Sequence, residues 1–146
     1  MMPKLRENRV KRSMERGEVD RVASGPRTPY LADSFGPPGY NGVSIEAEHC
    51  CIDIADIPDP NGAANLWGMT SVVRVNRNVP GISCRTIGIG AQGVGVSHVN
   101  TDDEARAAVD AGKVTPIGHR VIDISSRGLG MSDFLTRATV AAGRAH

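Results

Sequence analysis

Three short stretches of this chain carry groups that can move a proton or hold an anion: Glu46, Glu48 and His49 in the first, Arg74 in the second, Ser97 and His98 in the third. A carboxylate beside an imidazole raises its basicity and fixes its tautomer. A neighbouring guanidinium holds a carboxylate substrate or stabilises an enolate. Together such groups can take a proton from a hydroxyl and stabilise the anion that results. A lone histidine at the end of a strand is ordinarily a solvated surface residue. What sets His49 apart is its company, since Glu46, Glu48 and Arg74 fall at the ends of successive predicted strands. His98 has a local alternative: Asp102 and the start of the following helix lie close enough to engage it.

Two other patterns resemble known motifs and lack the context those motifs need. Residues 88–93, Gly-Ile-Gly-Ala-Gln-Gly, match the dinucleotide fingerprint. That fingerprint follows a strand and opens a helix, whereas here a helix precedes it and a strand follows. A tight helix-to-strand turn is the expectation. Glu48-His49-Cys50-Cys51 contains metal-ligand residue types, but adjacent residues seldom all reach one ion and no second ligand pair stands at a usual spacing. No metal ligands are assigned in this chain on that basis.

The elements that must position these groups follow from hydrophobic period. Residues 42–49 alternate Val43, Ile45 and Ala47 with Ser44, Glu46 and Glu48, a period of two that predicts a strand with one polar face. Residues 69–75 and 93–99 predict two more strands, and 19–24 a short first one. Helices are expected over 5–17, 29–35 (beginning near Thr28), 80–87 and 101–112, with an interrupted helical region over 52–68 broken by Pro58 and Pro60. The helix after Thr101 has the clearest signal, because Thr101 with Glu104 three residues on makes a capping box and Gly112 supplies a stop. A last helix is expected over 132–142. Strands alternating with helices imply βαβ units and a parallel sheet. In such sheets functional groups sit at the carboxyl ends of the strands, which is where Glu46, His49, Arg74 and Ser97 fall.

Composition narrows the function classes. The chain has 146 residues, 17 of them glycine, and only 3% aromatic residues, which argues against stacking platforms for single-stranded nucleic acid. Its net charge of +1 creates no global field toward nucleic acid or membrane. The basic residues near the start, from Lys4 to Arg21, are interleaved with Glu7, Glu15, Glu18 and Asp20, as on a solvated helix with ion pairs along its surface. A nucleic-acid arm or a transit peptide is the alternative, and the acidic residues count against the latter. No apolar run is long enough for a signal sequence or membrane span. Cys50, Cys51 and Cys84 are an odd set with one adjacent pair, which is no disulfide framework. A cytoplasmic protein with reduced thiols is expected.

The stretch Ile45-Glu46-Ala47-Glu48-His49 resembles the Ile-Asp-x-Glu-His signature of the HpcH/HpaI aldolases, metal-dependent pyruvate aldolases related in fold to the citrate lyase beta subunit. Val-Val-Arg-Val-Asn-Arg-Asn at 72–78 is similar to their Val-Arg-Val-Pro-x-Asn segment. Gly-Ala-Gln-Gly at 90–93 with Val-Ser-His-Val at 96–99 is similar to their Gly-Ala-Gln-Gly and Val-Pro-x-Val. Further matches fall at 103–106 and 116–120, and the opening helix from Asn8 resembles theirs, so the likeness runs from about residue 8 to 130. It implies the first four to five strands of a TIM-type (β/α) barrel, with residues 1–18 an N-terminal helix and 19–146 the partial barrel. It also implies an aldehyde-lyase of the class II aldolase type. That enzyme would cleave a 4-hydroxy-2-oxo acid through a pyruvate enolate, with Mg, Mn or Co as divalent metal. By matched position His49 is the catalytic base, Glu46 replaces the Asp that partners it, and Arg74 stabilises the enolate. Arg74 and Glu48 are the substrate-binding candidates.

The sequence also departs from that pattern. Glu46 is one methylene longer than Asp, Gly88 stands where an Asp often precedes Gly-Ala-Gln-Gly, and Ser97 replaces a proline. The family's Gln-x-Glu and Gly-Pro-x-Asp-Leu segments, which supply its metal ligands, do not occur. A complete barrel needs about 250 residues, so a truncated chain is expected. It would act on a 2-oxo acid as a homo-oligomer or with a completing partner chain, or survive as a catalytically inert remnant serving as an interaction module. No nucleic-acid or membrane partner is expected.

Overall fold

The computed structural model describes residues 6–123 and 125–129. The expected helix over 132–142 lies outside the described residues. Four strands, β1 (Val22–Ser24), β2 (Gly42–Glu46), β3 (Thr70–Val75) and β4 (Gly93–Val96), form one sheet in the order β1-β2-β3-β4. Every neighbouring pair is parallel. Helices α1 (Arg9–Glu15), α2 (Pro29–Ser34), α3 (Pro58–Leu66), α4 (Pro80–Gly88) and α5 (Asp102–Gly112) alternate with the strands. Parallel neighbours need a crossover between them, and α2, α3 and α4 provide it. This is an α/β fold of the partial-barrel kind expected from the alternation of elements.

Strand alternation divides the residues between two faces. Val43, Ile45, Val73 and Val75 are almost wholly buried and, with Ile57, Ala64 and Met69, form the core beneath the helices. Each large apolar side chain removed from water there contributes roughly 1.5–3 kcal/mol. The opposite face carries Ser44 and Glu46 on β2, with Val72 and Arg74 as their register partners on β3. Arg74 in turn pairs with Gly95, which has no side chain to crowd the base of the Arg74 side chain.

Local signals explain most boundaries. Thr28 and Thr101 each accept a backbone N–H of the first turn of the helix that follows, and Glu104 completes the capping box at α5. The expected interruption falls at Pro58, where the 3₁₀ turn Ile54–Asp56 gives way to α3, whereas Pro60 causes no break. Both prolines lie in the first turn of α3, where a missing N–H costs nothing because that turn has no intrahelical partner to offer it. β2 stops at Glu46 rather than continuing to His49, because the Glu46 carboxylate accepts the backbone N–H groups of Glu48 (2.8 Å) and His49 (3.3 Å) and turns the chain over.

The amino ends of the strands are closed by α1 and its approach. Asn8 caps α1 by accepting the Lys11 N–H at 3.0 Å, takes a bond from the Thr70 hydroxyl at 3.2 Å and donates to the Gln92 carbonyl at 3.0 Å. The Val10 N–H donates to Thr70 Oγ1 at 3.2 Å, and Gln92 Nε2 donates to the Glu7 carbonyl at 3.0 Å. Nearby, fully buried Asn61 meets the Ser71 hydroxyl and donates to the Ile89 carbonyl. Of the basic residues in this region, Arg12 and Arg16 pair with Glu15 and Glu18, as a solvated helix should. Arg6 and Arg9 instead donate to the carbonyls of Gly90 and Trp67.

Candidate active site at the carboxyl ends of the strands

The register of the sheet brings the three chemical stretches together. Glu46 ends β2 directly opposite Arg74 of β3, and Ser97 follows the last residue of β4, Val96, which pairs with Val75. Glu48 lies at the centre. One of its oxygens, Oε2, accepts the Ser97 hydroxyl at 2.7 Å, meets Arg74 Nη2 and stands 3.3 Å from His49 Nε2. The other, Oε1, stands 3.0 Å from His98 Nε2. Ser97 also accepts Arg74 Nε at 3.1 Å, so one hydroxyl links guanidinium to carboxylate. Arg74 Nη1 reaches Glu46 Oε2 at 3.3 Å.

The electrostatics follow from these contacts. Glu48 sits at the rim of the sheet rather than in its core, yet its neighbours leave its side chain only 6% exposed. The Ser97 hydrogen bond lowers its pKa below the usual glutamate value, and the charges of Arg74, His49 and His98 act in the same direction. Glu48 is therefore a carboxylate at neutral pH. Its partners are more open: the side chains of Arg74, His49 and His98 are 44%, 67% and 75% exposed. A ligand can reach the cation and both imidazoles while the anion that orients them stays covered.

The geometry revises two pairings expected from the sequence. Glu46 binds the backbone N–H of His49 and not its imidazole; Glu48 faces the ring instead. The longer side chain of Glu46 bends back onto the turn, where an N–H is the nearest donor. His98 is engaged by Glu48 across the sheet and not by Asp102. It has φ +58°, a left-handed backbone conformation uncommon for residues other than glycine and concentrated at functional sites. Ser97 and His98 thus join the cluster more closely than their sequence positions suggest. The available signal was strand register: the residue after β4 must come level with the residue after β3.

Beside the cluster lies a cleft of about 430 Å³ bounded by Ala47, Glu48, Cys51 and Asn76 among others. All three cysteines are free thiols. Among the described residues no group of three His, Cys, Asp or Glu side chains is placed to hold a metal ion. The glycine-rich stretch at 88–93 runs from the end of α4 to the start of β4, the reverse of a dinucleotide site. No helix among the described residues is long and apolar enough to cross a membrane.

Comparison with known proteins agrees with this arrangement. The chain is 33% identical over 89 residues to 2-dehydro-3,6-dideoxy-6-sulfogluconate aldolase of Pseudomonas putida, covering 61% of this chain and 35% of that protein. It is 31% identical over 98 residues to a pyruvate aldolase of Rhizobium etli, covering 67% and 39%. The crystal structure of an HpcH/HpaI aldolase from Desulfitobacterium hafniense superposes with a TM-score of 0.83 at 18% identity, over 94% of this chain and 53% of that one. The chain is related to the HpcH/HpaI aldolases. It spans between about a third and a half of the length of the curated relatives it matches. No protein-family model matches it.

Proposed function

We propose that the strand-end cluster is the enolate-handling part of a pyruvate-type aldolase site, acting on a 4-hydroxy-2-oxo acid. The observation that carries this reading is the placing of Arg74, His49 and Glu48 within one hydrogen-bonded group at the carboxyl ends of adjacent strands. In the proposed reaction His49 takes the proton from the 4-hydroxyl. The C3–C4 bond breaks, an aldehyde leaves, and the bond's electron pair passes to the 2-oxo group as an enolate. The exposed face of Arg74 meets that oxygen as charge develops on it. Protonation at C3 then gives pyruvate. Glu48 positions both groups: its oxygens are taken up by Arg74, Ser97 and the two histidines, so it orients His49 and holds the guanidinium rather than touching substrate. Glu46 fixes the turn that carries His49.

Resemblance implies a divalent metal in such a reaction, and the described residues do not fit one. Glu48 is the carboxylate closest to two imidazoles, but Arg74 already occupies it, and no third ligand is at hand. A second reading, an inert module or one completed by a partner chain, is favoured by the sheet itself: β1 and β4 end a four-stranded sheet without a further strand beside either among the described residues.

The test is pyruvate release from a 4-hydroxy-2-oxo acid by the purified chain, with magnesium, manganese or cobalt, with chelator, and with His49→Ala. Release that disappears in His49→Ala supports the aldolase reading. No release by folded protein under any of these conditions removes it in favour of the completed module.

A further inference from the structure

A second site lies on the helix side of β4, separate from the strand-end cluster. There α4, β4 and α5 enclose a cavity of about 300 Å³. Ile87, Val94, Val96 and Val109 give it an apolar wall. The segment after α5 folds back to close one end: the N–H groups of His119 and Arg120 donate to the carbonyls of Asp110 and Lys113 at 3.0 and 2.9 Å. A Cβ on Gly118 would collide with the Asp110 carbonyl, so this return needs glycine. It brings the Arg120 side chain to the cavity.

Arg120 is 8% exposed and its Nε has no hydrogen-bond partner. On α4, Ser83 is 2% exposed and its Oγ also lacks a partner. Both residues line the same cavity, with Arg6, Lys113 and Arg127, and none of the described lining residues is Asp or Glu. A cation removed from water without a counter-charge is strongly unfavourable, and an unmatched buried hydroxyl adds to the cost. Burial accordingly lowers the Arg120 pKa, which the Cys84 thiol offsets only in part. The strand-end cluster shows the opposite arrangement, in which every charge meets its complement.

We propose that this cavity binds an organic anion, an oxyanion head carried on an apolar body, with Arg120 and Ser83 meeting the head. The apolar wall separates such a ligand from a bare inorganic ion, and the buried Arg120 guanidinium, whose Nε has no partner, separates it from a neutral one. The head is a carboxylate or a phosphate ester, both of which present oxygens to a guanidinium.

Calorimetric titration of the full chain with octanoate, octyl phosphate and octan-1-ol tests this, and the first two distinguish the head group. At least one of the anions is expected to bind at one site about ten-fold or more tighter than the alcohol, a factor in keeping with one buried charge contact. Arg120→Gln should weaken that anion by a similar factor. Val109→Trp, at an exposed position on the cavity wall, should do so by filling the space, and it serves if Arg120→Gln does not fold. His49→Ala should bind as the parent does, which separates this site from the aldolase reading. Anions that bind no tighter than octan-1-ol, or full affinity in either folded variant, overturn the assignment.

Discussion

The two ends of this sheet are built from different chemistry. At the amino ends Asn8, Thr70, Gln92, Asn61 and Ser71 are neutral, and they satisfy one another and the backbone under the cover of α1. At the carboxyl ends Glu46, Glu48, Arg74 and the two histidines carry or can carry charge, and the cation and the imidazoles stay open to solvent. Neutral pairs cost little to bury once each donor has its acceptor, so they suit a seal. Charged groups held by neighbours and left half-exposed suit a site where charge must form and move. The same parallel sheet thus carries neutral, sealed contacts at one end and open, charged groups at the other.

Substitutions at the two ends should therefore separate as well. The largest effect is expected for Arg74→Met, which removes the group assigned to the enolate oxygen. Pyruvate release should fall about 100-fold in kcat/KM, a loss typical of deleting one oxyanion-stabilising donor, while circular dichroism stays that of the parent. At the opposite end Asn61→Leu leaves the Ser71 hydroxyl and the Ile89 carbonyl without this partner. It should cost about 1–3 kcal/mol in urea unfolding and leave turnover per folded molecule unchanged. Asn8→Ala removes an N-cap and two links to the strand ends, and should cost about 1–2 kcal/mol by the same measurement.

The smallest effect concerns pH. The folded-state pKa of Glu48 lies below its unfolded value, with the Ser97 hydrogen bond as the first cause. Its contribution to stability is present above the unfolded glutamate value of about 4.3. It is lost as pH falls through the lower folded value, because protonation then disrupts the contacts with Arg74 and Ser97. Ser97→Ala should narrow that window by moving the folded pKa up. Thermal melting followed from neutral pH down to about pH 3 should show the variant losing stability earlier on acidification. Superimposable acid limbs would remove Ser97 from this role.

How far the sequence leads depends on the range of the interactions involved. Strands β2, β3 and β4 are legible because alternation is a local signal, and α5 because Thr101 and Glu104 form a complete cap. In α3 only Pro60 is misjudged, because a proline reads as a breaker unless its place in the first turn is known. His49, Arg74 and Glu46 are legible as types at strand ends. The central place of Glu48 is not, because it depends on register across three strands and on the left-handed turn at His98. Arg120 reads as one basic residue in a loop, and its burial appears only when 113–120 folds back onto α5.

A strand-end cluster that handles a pyruvate enolate should speed the exchange of pyruvate's methyl protons, a reaction that needs no aldehyde partner. Pyruvate in deuterated buffer would be followed by proton NMR with the purified chain, with and without divalent metal, and again with Arg74→Met. Exchange faster than in buffer alone is expected, with loss of that acceleration in the variant. Folded wild-type protein that exchanges pyruvate no faster than buffer under every condition would contradict that role for the cluster.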